Sequence, residues 1–104
     1  MTAEQMAQDI IQTCQNAAGE IGHDAAQHPQ HFPQYKEKLD EYRANGASRD
    51  VSGECLADSI YDDPGFLQDL AGDTMYGFVD RNAVLDILEK QGSAWRKAVK
   101  GLRR

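Results

Sequence analysis

Large apolar side chains are scarce in this sequence. Leu, Ile, Val and Phe make up 19 of its 104 residues, and a fraction this low combined with high net charge is the mark of a disordered chain. Here the net charge is only −6, and 13 Ala and 4 Tyr add packable surface. The balance predicts a folded domain with a thin, Ala-padded core. At 104 residues and 11.6 kDa there is room for one domain, residues 1–104, and none for a second. No run approaches the ~18 apolar residues of a membrane-spanning helix, so no membrane partner is expected. Two Cys cannot form a disulfide framework. The start is polar from Thr2 to Gln5 apart from Ala3 and lacks the basic-then-apolar order of a signal peptide. A reduced, cytoplasmic protein is the expectation.

Catalytic patterns are also missing. There is no glycine-rich phosphate loop, no H-E-x-x-H, and no Ser, His and Asp set that can be singled out. A substrate-sized pocket would strain so small a core. His28 and His31 stand three apart, but Pro29 between them argues against a shared helical face. Neither they nor His23 have zinc-ligand spacing with Cys14 or Cys55. They read as surface loop histidines, and both Cys as core residues. A non-enzymatic protein without metal or cofactor is expected.

Basic residues are absent from two long stretches. Residues 1–35 carry four acids and residues 50–80 carry eight, with no Lys or Arg in either. Residues 81–104 hold seven basic and two acidic groups. The chain is acidic in its body and basic at its end, an asymmetry that bears on partner choice.

What is present is helical periodicity broken by Gly and Pro, which predicts an all-α bundle of five or six short helices. The first runs from about Thr2 to Ile21. Thr2 and Gln5 have capping-box spacing, and Gly19 and Gly22 weaken and then stop the helix. Ala3, Ala7, Ile10, Cys14, Ala17 and Ile21 step at heptad intervals, offering a small-residue face for a homodimer. Residues 22–34 read as a loop. Pro33 opens a second helix that ends near Arg43 or Ala44, before Asn45-Gly46. A third spans about Asp50 to Tyr61. Asp63 and Pro64 start a fourth, which Gly72 ends. Met75–Val79 reads as an apolar connector with no strand to pair with. Asp80 caps a fifth helix, with Val79 and Val84 in staple positions, and Gly92 ends it. Ser93 caps the last helix, whose apolar face is Trp95, Ala98, Val99 and Leu102.

Two surfaces stand out. Asp50, Glu54, Asp58 and Asp62 are spaced four apart, which on a helix makes one row of carboxylates with rungs about 6 Å apart. Leu56 and Ile60 fall on the other side. Asp69 and Asp73 follow nearby. Like charges four apart cost about 0.2–0.5 kcal/mol per pair, yet no Lys interrupts the row. Such a row suits the basic surface of a partner protein, including a groove shaped for nucleic acid. The second surface is basic: Arg96, Lys97, Lys100, Arg103 and Arg104 lie opposite the Trp95 face.

The leading expectation is a small acidic inhibitor or regulator that occupies a partner's basic surface. Nucleic-acid mimics of the kind phages and mobile elements produce have these features. The alternatives are a nucleic-acid-associated regulator using the basic terminal helix, and a structural subunit of a helical homo-oligomer.

Overall fold

A computed structural model describes residues 1–103, so Arg104 of the basic set lies outside the described residues. Six α-helices form: α1 Ala3–Gln27, α2 Lys36–Ala44, α3 Arg49–Tyr61, α4 Pro64–Thr74, α5 Arg81–Leu88 and α6 Ser93–Leu102. Two 3-10 turns, Pro29–His31 and Pro33–Tyr35, precede α2. The described residues contain no strand, and the all-α expectation holds. The chain divides into two compact units, Met1–Gln15 with Tyr61–Arg104, and Asn16–Ile60.

The first unit holds the hydrophobic core. Ala7, Ile10 and Cys14 of α1, Leu67 and Ala71 of α4, Val84, Leu85 and Leu88 of α5, and Trp95, Ala98, Val99 and Leu102 of α6 pack together with Met75. The N-terminal cap is reciprocal: Gln5 N–H donates to Thr2 Oγ1 at 3.1 Å, and Thr2 N–H donates to Gln5 Oε1 at 2.8 Å. That capping box satisfies two helix-end donors that have no partner inside the helix. Asp63 caps α4, accepting from Gly65 N–H at 3.0 Å. Arg81 closes the other end of α6, donating from Nη2 to the Leu102 carbonyl at 2.8 Å.

Several boundaries differ from expectation. Gly72 does not end α4, which continues to Thr74. A Cβ on Gly72 would stand 3.3 Å from Leu102 Cδ2, so this glycine admits α6 rather than stopping a helix. Asp80 occupies the cap position of α5 without a side-chain bond. Its ψ of 56° contrasts with the extended 112° of Asp63, and an extended cap backbone is what returns the carboxylate to the helix N–H groups. The Val79–Val84 staple does not form: Val79 is 100% exposed while Val84 is in the core. Gly92, not Ser93, is the cap of α6, with φ 151°, a region L-residues rarely adopt.

The heptad face of α1 is also put to a different use. Ala7, Ile10 and Cys14 are 0% exposed in the chain's own core. That part of the face offers no free surface to a second copy.

The second unit is built around a glycine seam. Gly22 does not stop α1, which runs on to Gln27 and so carries His23 on a helix rather than in a loop. A Cβ on Gly22 would stand 2.9 Å from the Ala57 Cβ and closer still to the Gly53 carbonyl oxygen; one on Gly53 would stand 3.2 Å from the Ala26 Cβ. Both glycines are buried. Gly inside a helix costs about 1 kcal/mol relative to Ala, and here the close approach of two helices offsets that cost. Ser48 caps α3, accepting from Val51 N–H at 3.2 Å. Lys38 Nζ donates to Ser59 Oγ, tying α2 to α3. Leu39 is buried on α2, with Tyr35 and Tyr42 half-buried.

Candidate functional site

Helix α3 sorts its residues by face. Leu56 is 0% and Ile60 5% exposed, while Asp50, Glu54 and Asp58 are exposed. Cys55 is half-buried at the edge, and Val51 remains exposed. Three carboxylates thus form the row on the helix. Asp62, the fourth in sequence, lies in the turn beyond Tyr61 and is not a helical rung. The helix ends there because Asp63 must take the extended backbone of the α4 cap. Among the described residues no ion pair engages Asp50, Glu54, Asp58 or Asp62. Asp50 accepts one neutral hydrogen bond, from Gln27 Nε2 at 3.4 Å. It also stands in the first turn of α3, where a carboxylate meets the positive end of the helix dipole.

The upper part of the row borders a groove of about 340 Å³. Gly19, His23 and Gln27 line it from α1, and Arg49, Asp50, Gly53 and Glu54 line it from α3. The sequence reading kept His23 apart from Asp50 and Glu54. They meet because α1 continues past Ile21 to Gln27 and crosses α3 at the glycine seam. Among the described residues no group of three or more His, Cys, Asp or Glu is arranged to hold a metal ion. His28 and His31 stack on each other in the 3-10 turn, with ring centroids 5.7 Å apart.

Asp69 and Asp73 are exposed on α4, four residues apart. Their helix turns Leu67 and Ala71 into the core of the first unit. The same unit carries the basic helix. Trp95, Ala98, Val99 and Leu102 are buried on α6 as its periodicity requires, and Arg96, Lys97 and Lys100 are exposed. Arg103 is committed elsewhere. Its Nη2 lies 2.7 Å from Asp86 Oδ1 and 3.1 Å from Glu89 Oε2, and hydrogen bonds to these carboxylates raise its pKa further. The free basic strip on α6 is therefore reduced to three residues among those described.

Neither cysteine forms a disulfide. Cys14 is 0% exposed, and burial pushes its thiol up to about 11. A thiol held protonated at neutral pH is a poor nucleophile.

Sequence reasoning assigned Tyr76 no role and Val79 only that of a staple residue. They lie in the connector after α4, 91% and 100% exposed. The apolar composition of Met75–Val79 was legible, but not which of its side chains turn outward. Comparison with protein-family models, with curated proteins and with solved structures finds no match for this chain.

Proposed function

We propose that this protein is a non-enzymatic binding protein that docks on the basic surface of a partner protein, with Asp50, Glu54 and Asp58 as its contact row. One observation carries the reading: three exposed carboxylates share a helix face, and no cation among the described residues neutralises them. A face that served only solubility would lose nothing by interspersed Lys. Asp69 and Asp73 on α4 are a separate exposed acidic pair. Electrostatic complementarity of this kind speeds encounter and selects against acidic partners.

The basic helix is the weaker base for a function. With Arg103 held by Asp86 and Glu89, the described residues leave Arg96, Lys97 and Lys100 as a small cationic footprint on a chain of net charge −6. The alternative it represents, nucleic-acid association, is tested directly by titrating the protein into duplex DNA. Binding that falls steeply with salt would favour it over docking through the acidic row.

The principal test reverses two rungs, Glu54→Lys with Asp58→Lys, and leaves Asp50 at the helix N-terminus. Proteins captured from the native host are purified, and affinity is measured for wild type and variant. Wild-type affinity is expected to fall with salt, because exposed charges are screened over about 8–10 Å. The double reversal is expected to weaken binding by about 2–5 kcal/mol, mostly through faster dissociation. Unchanged, salt-independent affinity would return the row to a solvated helix face.

A further inference from the structure

The connector between α4 and α5 displays two apolar side chains, Tyr76 and Val79, that the core leaves uncovered. Phe78 N–H donates to the Met75 carbonyl at 2.9 Å, closing a four-residue turn. Gly77 sits at its third position with φ +79°, and Tyr76 before it has no positive φ. That combination is a type II turn, which needs Gly at this position.

The turn divides its residues two ways. Met75 is 1% exposed, and Phe78 packs against the core of the first unit. These two fix the turn from below. Tyr76 and Val79, three residues apart, are exposed at 91% and 100%. Single exposed apolar residues are ordinary on protein surfaces. One on an anchored turn and one directly after it form a contact point that loses little entropy on binding.

Charge identifies the occupant. Asp73 precedes the turn and Asp80 follows it, both exposed, and neither has an ion pair among the described residues. Asp80 stands at the start of α5 but makes no cap bond. Arg81, next in the chain, donates to the Leu102 carbonyl and keeps its charge, so residues 73–81 carry two carboxylates against one guanidinium. An apolar tip with an acidic rim complements an apolar pocket bordered by Lys or Arg. It repels a second copy, which brings the same acids, and an anionic lipid surface.

We propose that Tyr76 and Val79 are the apolar anchor of a docking surface for a protein whose apolar pocket is rimmed by basic side chains. This rests on the reading that the chain binds a basic partner, but it puts the anchor on residues of the first unit, whereas the α3 row belongs to the second.

The test places the photo-cross-linking amino acid p-benzoyl-phenylalanine at Tyr76, and in a control chain at Lys90, in lysate of the native host. Cross-linked peptides are sequenced, and the protein they come from is purified. The expected products are peptides of a different protein with Lys or Arg beside apolar residues. For that protein, Tyr76→Ser with Val79→Ser should weaken affinity at least about 30-fold, as loss of an aromatic hot spot does, with an unchanged melting temperature. Asp73→Asn with Asp80→Asn should weaken it less and flatten its salt dependence. Four results overturn the proposal: no product above the Lys90 control, products from a second copy or from lipid, products from a site without Lys or Arg, or unchanged affinity of the Tyr76 and Val79 variant. The two readings separate cleanly. A Glu54→Lys, Asp58→Lys chain that binds normally while the Tyr76 and Val79 variant does not removes the α3 row and keeps the anchor; the converse removes the anchor.

Discussion

The Trp95 indole donates a hydrogen bond from Nε1 to the Tyr61 hydroxyl at 3.0 Å, and the two rings meet edge to face with centroids 6.2 Å apart. Thirty-four positions separate the two in sequence. The contact lets the single Trp be buried, 3% exposed, without leaving its N–H unsatisfied. A buried donor without a partner costs about 1–3 kcal/mol. Tyr61→Phe removes the acceptor and keeps the ring, so urea titration should show a loss of about that size. Trp95→Ala should cost about 3–5 kcal/mol through the cavity it leaves. Wild-type fluorescence should be blue-shifted before any partner is added. Emission like that of free Trp would contradict the packing of α6.

Two glycines of one helix should respond with opposite signs. Gly19 is exposed, and a Cβ there meets nothing within 4 Å. Gly19→Ala should therefore stabilise by about 0.5–1 kcal/mol, from helix propensity and reduced unfolded-state entropy. Gly22→Ala places its methyl against Gly53 and Ala57 and should destabilise in spite of the same propensity gain. Thermal melts of the two variants check this. A stabilising Gly22→Ala would show that the α1–α3 crossing is looser than described.

The two thiols should differ in accessibility. A thiol reagent should modify half-buried Cys55 first and reach Cys14 only on unfolding. The Cys14 pKa is raised from 9.0 to about 11 in the fold. Between these values the unfolded chain releases a proton that the folded chain keeps, so stability falls as pH rises. The contribution is complete below about pH 9 and lost through about pH 11, and amounts to roughly 2–3 kcal/mol. Cys14→Ala will be less stable at neutral pH because of its smaller volume, but its stability should decline less over this window. Parallel denaturant titrations from pH 8 to 11 give the comparison.

The acidic row should be nearly silent in stability. Glu54→Lys with Asp58→Lys converts the Asp50–Glu54 repulsion into an attraction and leaves residues 54 and 58 repelling each other. Each term is a few tenths of a kcal/mol, so the melting temperature should hardly move. Arg103→Ala removes two exposed ion pairs, which solvent screens, and should likewise leave the melting temperature nearly unchanged. A large loss for either would mean that these charges support the fold itself.

Much of this architecture was legible because it depends on neighbours in the chain. The Thr2–Gln5 capping box, the Asp63–Pro64 start of α4, the stop after Ala44 and the buried stripe of α6 follow from spacing alone. So does the exposure of Asp50, Glu54 and Asp58, which face away from Leu56 and Ile60 on any helix through those residues. Other features were set by contacts between distant segments. Gly22 and Gly72 look like stops in sequence, and both lie inside helices because an opposing helix needs the space a side chain would fill. His23 joins Asp50 and Glu54 at one groove only because α1 passes through Gly22. Met75 and Phe78 turn inward while Tyr76 and Val79 turn outward, because a glycine turn anchored in a core assembled from four helices has two sides. Local spacing determined where the helices form and which faces are charged. Tertiary packing decided which glycines are seams, which carboxylates stay unpaired, and which apolar side chains are left to meet something else.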